Sequence, residues 1–150
     1  MQSIRNIRAE VVLAEDLTIR QLEADYKTSI IRQVKFESEN IIVPLDGIIR
    51  VGENLFRGVE VKYITEVSVK KNVRNLLADI SLLANRLSAL NLPDNISLLV
   101  AIVGKDIKED SFNLIRNQFN SLVKGMPISV ELRFFDFEEL QKRFGIKSET

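Results

Sequence analysis

The chain has 150 residues, with 21 basic and 21 acidic side chains, no cysteine and no histidine. Its length predicts one domain covering residues 1–150, and 45% hydrophobic with 28% charged residues is ordinary for a globular protein. Without cysteine or histidine there are no disulfides, thiol nucleophiles, imidazole bases or common zinc sites. Because the net charge is zero, any nucleic-acid surface must be a local basic patch.

We do not expect the N-terminal segment to be a signal peptide, because Arg5, Arg8 and Glu10 interrupt its apolar positions. No apolar run approaches the ~20 residues of a membrane span. We therefore expect a cytoplasmic chain with no membrane partner.

Spacing and turn residues predict an alternating series of helices and strands. The predicted helices cover residues 3–26, 69–92, 110–124 and a short segment after Asp136, and the predicted strands cover residues 27–39, 41–51, 55–65, 96–103 and 128–135. A break of the first helix near Glu15 is one alternative. The last four residues are expected to fray.

Strands two and three should form an antiparallel hairpin, and Pro44 should place strand two at an edge or a bulge. The continuous apolar run of residues 96–103 is typical of a central strand covered on both faces. Together the elements predict an α/β fold with a mixed β-sheet and helices on both faces. The apolar face of residues 73–90 is broader than one stripe, which predicts deep burial or a homodimer through this helix.

Three charged residues lie in the hairpin. Asp46 comes early in strand two, and Glu60 and Lys62 lie two residues apart in strand three. Because side chains alternate along a strand, Glu60 and Lys62 point to one face, while Val61 and Tyr63 point to the other. Charged groups inside an apolar strand are costly to bury without partners.

The order helix, three strands, helix, strand, with Asp in the second strand and Glu-x-Lys in the third, resembles the PD-(D/E)xK nuclease superfamily. Asp46 matches the first acid of the motif, and Glu60-Val61-Lys62 match its second half. Pro44 departs from the motif because it stands two residues before Asp46. The resemblance covers about residues 5–142 in topology and implies a restriction-endonuclease-like fold, here with a further helix and strand.

The resemblance implies a metal-dependent nuclease that hydrolyses phosphodiester bonds, in DNA rather than RNA. Mg²⁺ or Mn²⁺ would suit the available oxygen ligands, because hard cations prefer carboxylates, carbonyls and water. Asp46, Glu60 and the Val61 carbonyl are the expected metal ligands. Lys62 would position the attacking water and offset phosphate charge.

In this superfamily a Glu of the first helix often joins the metal site, and among Glu10, Glu15 and Glu23 we favour Glu15. The start of the long helix carries Lys70, Lys71 and Arg74, which are the expected phosphate contacts, with solubility as the alternative explanation. Further candidate contacts to a nucleic-acid backbone are Arg50, Arg57 and Lys105.

Other interpretations stay open. The same fold can serve as a non-catalytic nucleic-acid-binding or protein-assembly module. A flavodoxin-like α/β domain is a third interpretation. In the simplest case Glu60 and Lys62 line a solvated edge, and Asp46 opens a turn with Gly47. These alternatives are distinguished by whether the head groups of Asp46, Glu60 and Lys62 converge.

Overall fold

The computed structural model describes residues 4–90, 92 and 95–146, with only the backbone of residues 4–7 and 70. The described elements, in chain order, are α1 (Ile4–Tyr26), β1 (Ile31–Ser38), β2 (Ile41–Gly52), β3 (Leu55–Thr65), α2 (Glu66–Ala89), β4 (Asn95–Lys105), α3 (Glu109–Val123), β5 (Val130–Asp136) and α4 (Phe137–Arg143). The prediction of fraying at residues 147–150 lies outside the described residues.

The five strands form one mixed sheet in the order β1-β2-β3-β4-β5. The pairs β1–β2 and β2–β3 are antiparallel, whereas β3–β4 and β4–β5 are parallel. The predicted mixed sheet and the predicted hairpin are therefore confirmed. A flavodoxin-like arrangement is excluded, because its strands would need crossover connections where this chain has tight turns.

Helices cover both faces of the sheet, as predicted. Apolar side chains of α2 and α3 pack on one face, together with Leu98, Val100 and Ile102 of β4. Helices α1 and α4 pack on the other face, against Leu99 and Val103. Strand β4 is buried from residue 98 to residue 104, which confirms its prediction as a central strand.

Helix α2 begins three residues before the predicted start at Val69, because Thr65 caps it. Thr65 Oγ1 accepts a hydrogen bond from the Ser68 amide at 3.4 Å, and Ser68 Oγ accepts one from the Thr65 amide at 2.9 Å. This is a capping box with serine in the position where glutamate or glutamine is usual. The helix is kinked at Asn72, whose φ of −129° and ψ of 19° are not helical.

The broad apolar face of α2 is explained mainly by burial against the sheet. Its residues Leu77, Ile80, Ala84 and Leu87 are at most 3% exposed, whereas Leu82 is 49% exposed. Among the described residues, no helix combines the length and the apolar character needed to cross a membrane.

Helix α1 runs without a break through Glu15 and Asp16. Both acids bind side chains of β1: Gln33 Nε2 donates to Glu15 Oε1 and Arg32 Nη1 donates to Asp16 Oδ1, each at 2.6 Å. These contacts account for acidic residues at positions where the helical stripe of apolar residues is interrupted.

Candidate functional site

Strands β2 and β3 diverge in the middle of the sheet. Their ladder runs from Gly52, opposite Leu55, to Gly47, opposite Val59. Beyond that point residues 41–46 pair with β1, and residues 60–65 pair with β4. We call the space between residues 41–46 and residues 60–65 the fork.

The side chains of β2 change the face of the sheet to which they point where the fork begins. Val43 and Leu45 belong to the apolar cluster on the α2 side, whereas Ile49 belongs to the cluster on the α1 side. Residues an even number apart share a face of a regular strand, so the backbone must rotate between Leu45 and Ile49. Asp46 lies in this segment, where the β1–β2 register passes over both Asp46 and Gln33, and Gln33 has a left-handed φ of 54°.

Pro44 also lies in the part of β2 that borders the fork. Strand β2 is internal in the sheet as a whole, but residues 41–46 pair on the β1 side alone in the described ladders. The missing N–H of proline therefore costs no ladder bond to β3. The prediction of an edge position is therefore wrong for strand two as a whole, and Pro44 is tolerated because β3 does not pair with this part of it.

The Asp46 and Glu60 carboxyl groups meet at the start of the fork. Burial, then a side-chain hydrogen bond to Asp46 and the charge of Asp46, raise the pKa of Glu60 from 4.5 to about 8. The Lys62 ammonium opposes this shift, so it lies close enough to act on Glu60. Near neutral pH, the Asp46–Glu60 pair therefore favours a state in which the two carboxyl groups share one proton.

The backbone of Val61 also points to this pair. Its N–H donates a hydrogen bond of 2.7 Å to Asp46 Oδ2. In an extended strand the N–H and C=O of one residue leave on the same edge, so the Val61 carbonyl faces the fork as well. Two carboxyl groups and one backbone carbonyl thus border the same space.

Glu15 reaches the neighbourhood of this pair from α1. Burial and then the charge of Asp46 raise the pKa of Glu15, while Arg32 and the hydrogen bond from Gln33 lower it. The two other candidates of α1 bind elsewhere. Glu10 accepts hydrogen bonds from the Tyr63 hydroxyl and the Lys105 ammonium, and Glu23 accepts one from the Ile30 amide.

The donor chemistry of the fork suits a hard divalent cation. Carboxylate and carbonyl oxygens are the ligands that Mg²⁺ takes, and the raised pKa of Glu60 marks a pair that lacks sufficient positive charge nearby. Within the described residues, no group of three or more Asp, Glu, His or Cys side chains is arranged to hold a metal ion. The fit therefore rests on Asp46 and Glu60, with the Val61 carbonyl.

The predicted nucleic-acid contacts differ in their surroundings. Lys71 and Arg74 are exposed on α2, and the side chain of Lys70 lies outside the described residues. Arg57 donates to Glu131 at 3.2 Å and Lys105 donates to Glu10 at 2.7 Å, so both hold ion pairs within the chain. The exposed side chains of Lys71, Arg74 and Arg50 are therefore better candidates for phosphate contacts than Arg57 and Lys105.

Two features of the site were not specified by the sequence, although Val34 is out of phase with Ile31 and this indicates an irregularity in the first strand. Gln33 takes a left-handed conformation without being glycine or asparagine, and its side chain connects β1 to Glu15. Tyr63, which its strand position assigns to the core, donates a hydrogen bond of 2.5 Å to Glu10 and packs edge-on against Phe137. Both depend on contacts between distant segments.

Searches against protein-family models, curated proteins and solved structures find no match to this chain. Functional inference therefore rests on the geometry of the fork.

Proposed function

We propose that this chain is a metal-dependent nuclease of the PD-(D/E)xK type, acting on phosphodiester bonds of DNA in the cytoplasm. The observation that carries the proposal is the convergence of Asp46, Glu60 and the Val61 backbone at the fork, with Lys62 beside Glu60. The order of the elements, one helix, three strands, a helix and a strand, is the order that the resemblance implies.

Asp46 and Glu60 would hold a Mg²⁺ or Mn²⁺ ion, with the Val61 carbonyl as an additional oxygen ligand. When bound, such an ion neutralises charge on a phosphodiester and lowers the pKa of a water molecule. Glu60 must lose its proton to act as a ligand, so its raised pKa makes protons and cations competitors for the same carboxyl group.

Lys62 would contribute to the site in two ways. Its ammonium group acts on the Glu60 carboxyl, which favours the charged form of that carboxyl. It also supplies hydrogen-bond donors that orient a water molecule or contact a phosphate oxygen. Glu15 adds a second negative charge near Asp46 and would strengthen the attraction for a cation.

DNA would reach the fork along the start of α2. This helix follows β3 directly and exposes Lys71 and Arg74. Lysine and arginine contact phosphates without reading base sequence, so we expect weak sequence preference and strong dependence on salt.

The test is cleavage of supercoiled, linear and single-stranded DNA with Mg²⁺ or Mn²⁺, by the wild type and by Asp46→Ala and Lys62→Ala. We expect cleavage that stops with EDTA and falls at least about 100-fold in both variants. Glu53→Ala is the matched control, because Glu53 is an exposed acid in the β2–β3 turn. It should cleave like the wild type.

The other outcomes distinguish the alternatives. Cation binding measured by calorimetry without any cleavage would indicate that the right substrate or a partner is missing, whereas the non-catalytic nucleic-acid-binding or assembly module predicts neither cleavage nor cation binding. If neither cleavage nor cation binding is found, or if Asp46→Ala cleaves like the wild type, the nuclease proposal is wrong.

A further inference from the structure

Strand β1 ends the sheet and presents a free backbone edge. It pairs with β2 alone among the described strands, and six of its eight residues are exposed. An exposed strand edge is a template for another strand, and proteins usually block it with lysines, prolines or bulges. Here Gln33 interrupts the strand near one end, so residues 34–38 form the regular part of the edge.

Lys35, Phe36 and Glu37 make this edge complementary to itself. The charges of Lys35 and Glu37 lie on one face, where their side chains form an ion pair of 2.9 Å. Phe36 lies on the opposite face and packs against the apolar cluster on the α2 side. The blocking effect of Lys35 is lost if a carboxylate of an added strand stands opposite to it.

Symmetry restricts how two copies of this edge can pair. A two-fold axis normal to the sheet keeps each residue on the same face in both copies, so facing residues are an even number apart. An axis at Lys35 would place lysine opposite lysine. An axis at Val34 would use Gln33, whose φ of 54° departs from an extended strand. An axis at Phe36 places Lys35 opposite Glu37 of the second copy, twice.

The hydrogen-bonding groups of β1 and its apolar face are both consistent with pairing centred on Phe36. Pro44 faces Lys35 in the β1–β2 ladder and cannot donate a hydrogen bond to it, which favours Lys35 and Glu37 directing their N–H and C=O groups to the free edge. On the α2 side, Val34 and Phe36 border an open apolar cavity of about 300 Å³, also lined by Ile48 and Phe56. Apolar surface therefore continues from the edge into the cavity.

We propose that two copies of this chain associate through antiparallel pairing of β1, centred on Phe36, into one continuous sheet. The two Lys35–Glu37 pairs set the register on one face, and Phe36 meets its counterpart on the other. This dimer differs from one formed through residues 73–90, where Leu82 is a large apolar side chain exposed on α2. The proposal is independent of the nuclease activity.

Sedimentation velocity on the full chain, without nucleic acid, tests the proposal. We expect a concentration-dependent dimer whose dissociation constant rises about tenfold or more in Lys35→Glu, because like charges then face each other at two places. The double variant Lys35→Glu/Glu37→Lys exchanges the charges and should restore the dimer. Circular dichroism of each variant confirms that the fold is retained.

Two control variants distinguish pairing through β1 from a general effect of net charge and from association through α2. Lys124→Glu makes the same change of net charge at an exposed position after α3 and should leave the dimer unchanged. Leu82→Asp should also leave it unchanged, because α2 is outside the interface. A wild type that stays monomeric at all concentrations, a dimer disrupted by Leu82→Asp, or a charge exchange that fails to restore association would each overturn the proposal.

Discussion

Two partly buried carboxyl groups, Glu10 of α1 and Glu60 of β3, have opposite surroundings. Glu10 accepts hydrogen bonds from the Lys105 ammonium at 2.7 Å and the Tyr63 hydroxyl at 2.5 Å. Glu60 shares a hydrogen bond with another acid, Asp46. Glu10 is therefore compensated within the chain, whereas Lys62 compensates Glu60 only in part and the acid pair favours a proton or an added cation.

This difference separates a structural carboxylate from a candidate functional one. A compensated group contributes to stability through its partners, and it leaves little affinity for an added charge. An acid pair that shares a proton weakens the folded state at neutral pH and is retained more readily where a ligand uses it. The three predictions below test the comparison by removing one group at a time.

The largest expected effect on stability is at the compensated group. Glu10→Ala should lower the free energy of unfolding by ~2 kcal/mol, because Lys105 and Tyr63 lose a shared partner in a partly buried site. Urea denaturation at pH 7 measures the change. Tyr63→Phe removes one of the two hydrogen bonds and should lower stability by only about 1 kcal/mol. A smaller loss for Glu10→Ala than for Tyr63→Phe would contradict the comparison.

In the metal-free protein, Glu60 should make the free energy of unfolding decrease as pH rises. Its pKa is about 8 in the folded chain and near 4.5 in the unfolded chain. Between these values the folded chain holds a proton that the unfolded chain has lost, so the free energy of unfolding decreases as pH rises. Since the group is partly exposed, we expect a decrease of ~1–2 kcal/mol.

Thermal or urea denaturation at several pH values between 4.5 and 8, with EDTA present, checks this dependence. Glu60→Gln is the matched variant, because it keeps the shape of the side chain and cannot ionise. Its stability should vary less over this interval than that of the wild type. Equal slopes for the two proteins would show that Glu60 is not the group that titrates.

The smallest effect is expected at Glu15, which is near Asp46 but also accepts a hydrogen bond from Gln33. Its pKa is raised by burial and by Asp46, so Glu15→Gln should raise the stability of the metal-free protein at pH 7 by a few tenths of a kcal/mol. Glu23→Gln is a control of opposite sign, because it weakens the hydrogen bond accepted from the Ile30 amide. Urea denaturation distinguishes the two signs.

Much of the fold follows from local patterns. The predicted strand of residues 55–65 has the bounds of β3, because alternating apolar residues and the turn at Asn54 act within the hairpin. The short helix predicted after Asp136 is α4, and Asp136 caps it, with its Oδ1 accepting a hydrogen bond from the Glu139 amide at 3.1 Å. Such features depend on residues that are close in the sequence, so sequence patterns predict them.

The candidate site was predictable only in part. The period of a strand places Glu60 and Lys62 on one face, and that pattern leads to the resemblance. The fork, the rotation near Asp46 and the conformation of Gln33 arise where β1, β2 and β3 meet α1. No local pattern encodes these contacts. The earlier start of α2 was readable from Thr65 and Ser68, but serine is a less usual partner in a capping box.

The divergence of β2 and β3 also has a consequence for the order of folding. The hairpin part of β3 pairs with β2 across a short turn, whereas residues 60–65 pair with β4 on the far side of α2. Contacts that close a long loop carry a larger entropic cost than those of a hairpin, and they form later. We therefore expect residues 60–65 to become ordered after the hairpin, when β4 joins the sheet, so that an incompletely folded chain lacks the finished fork.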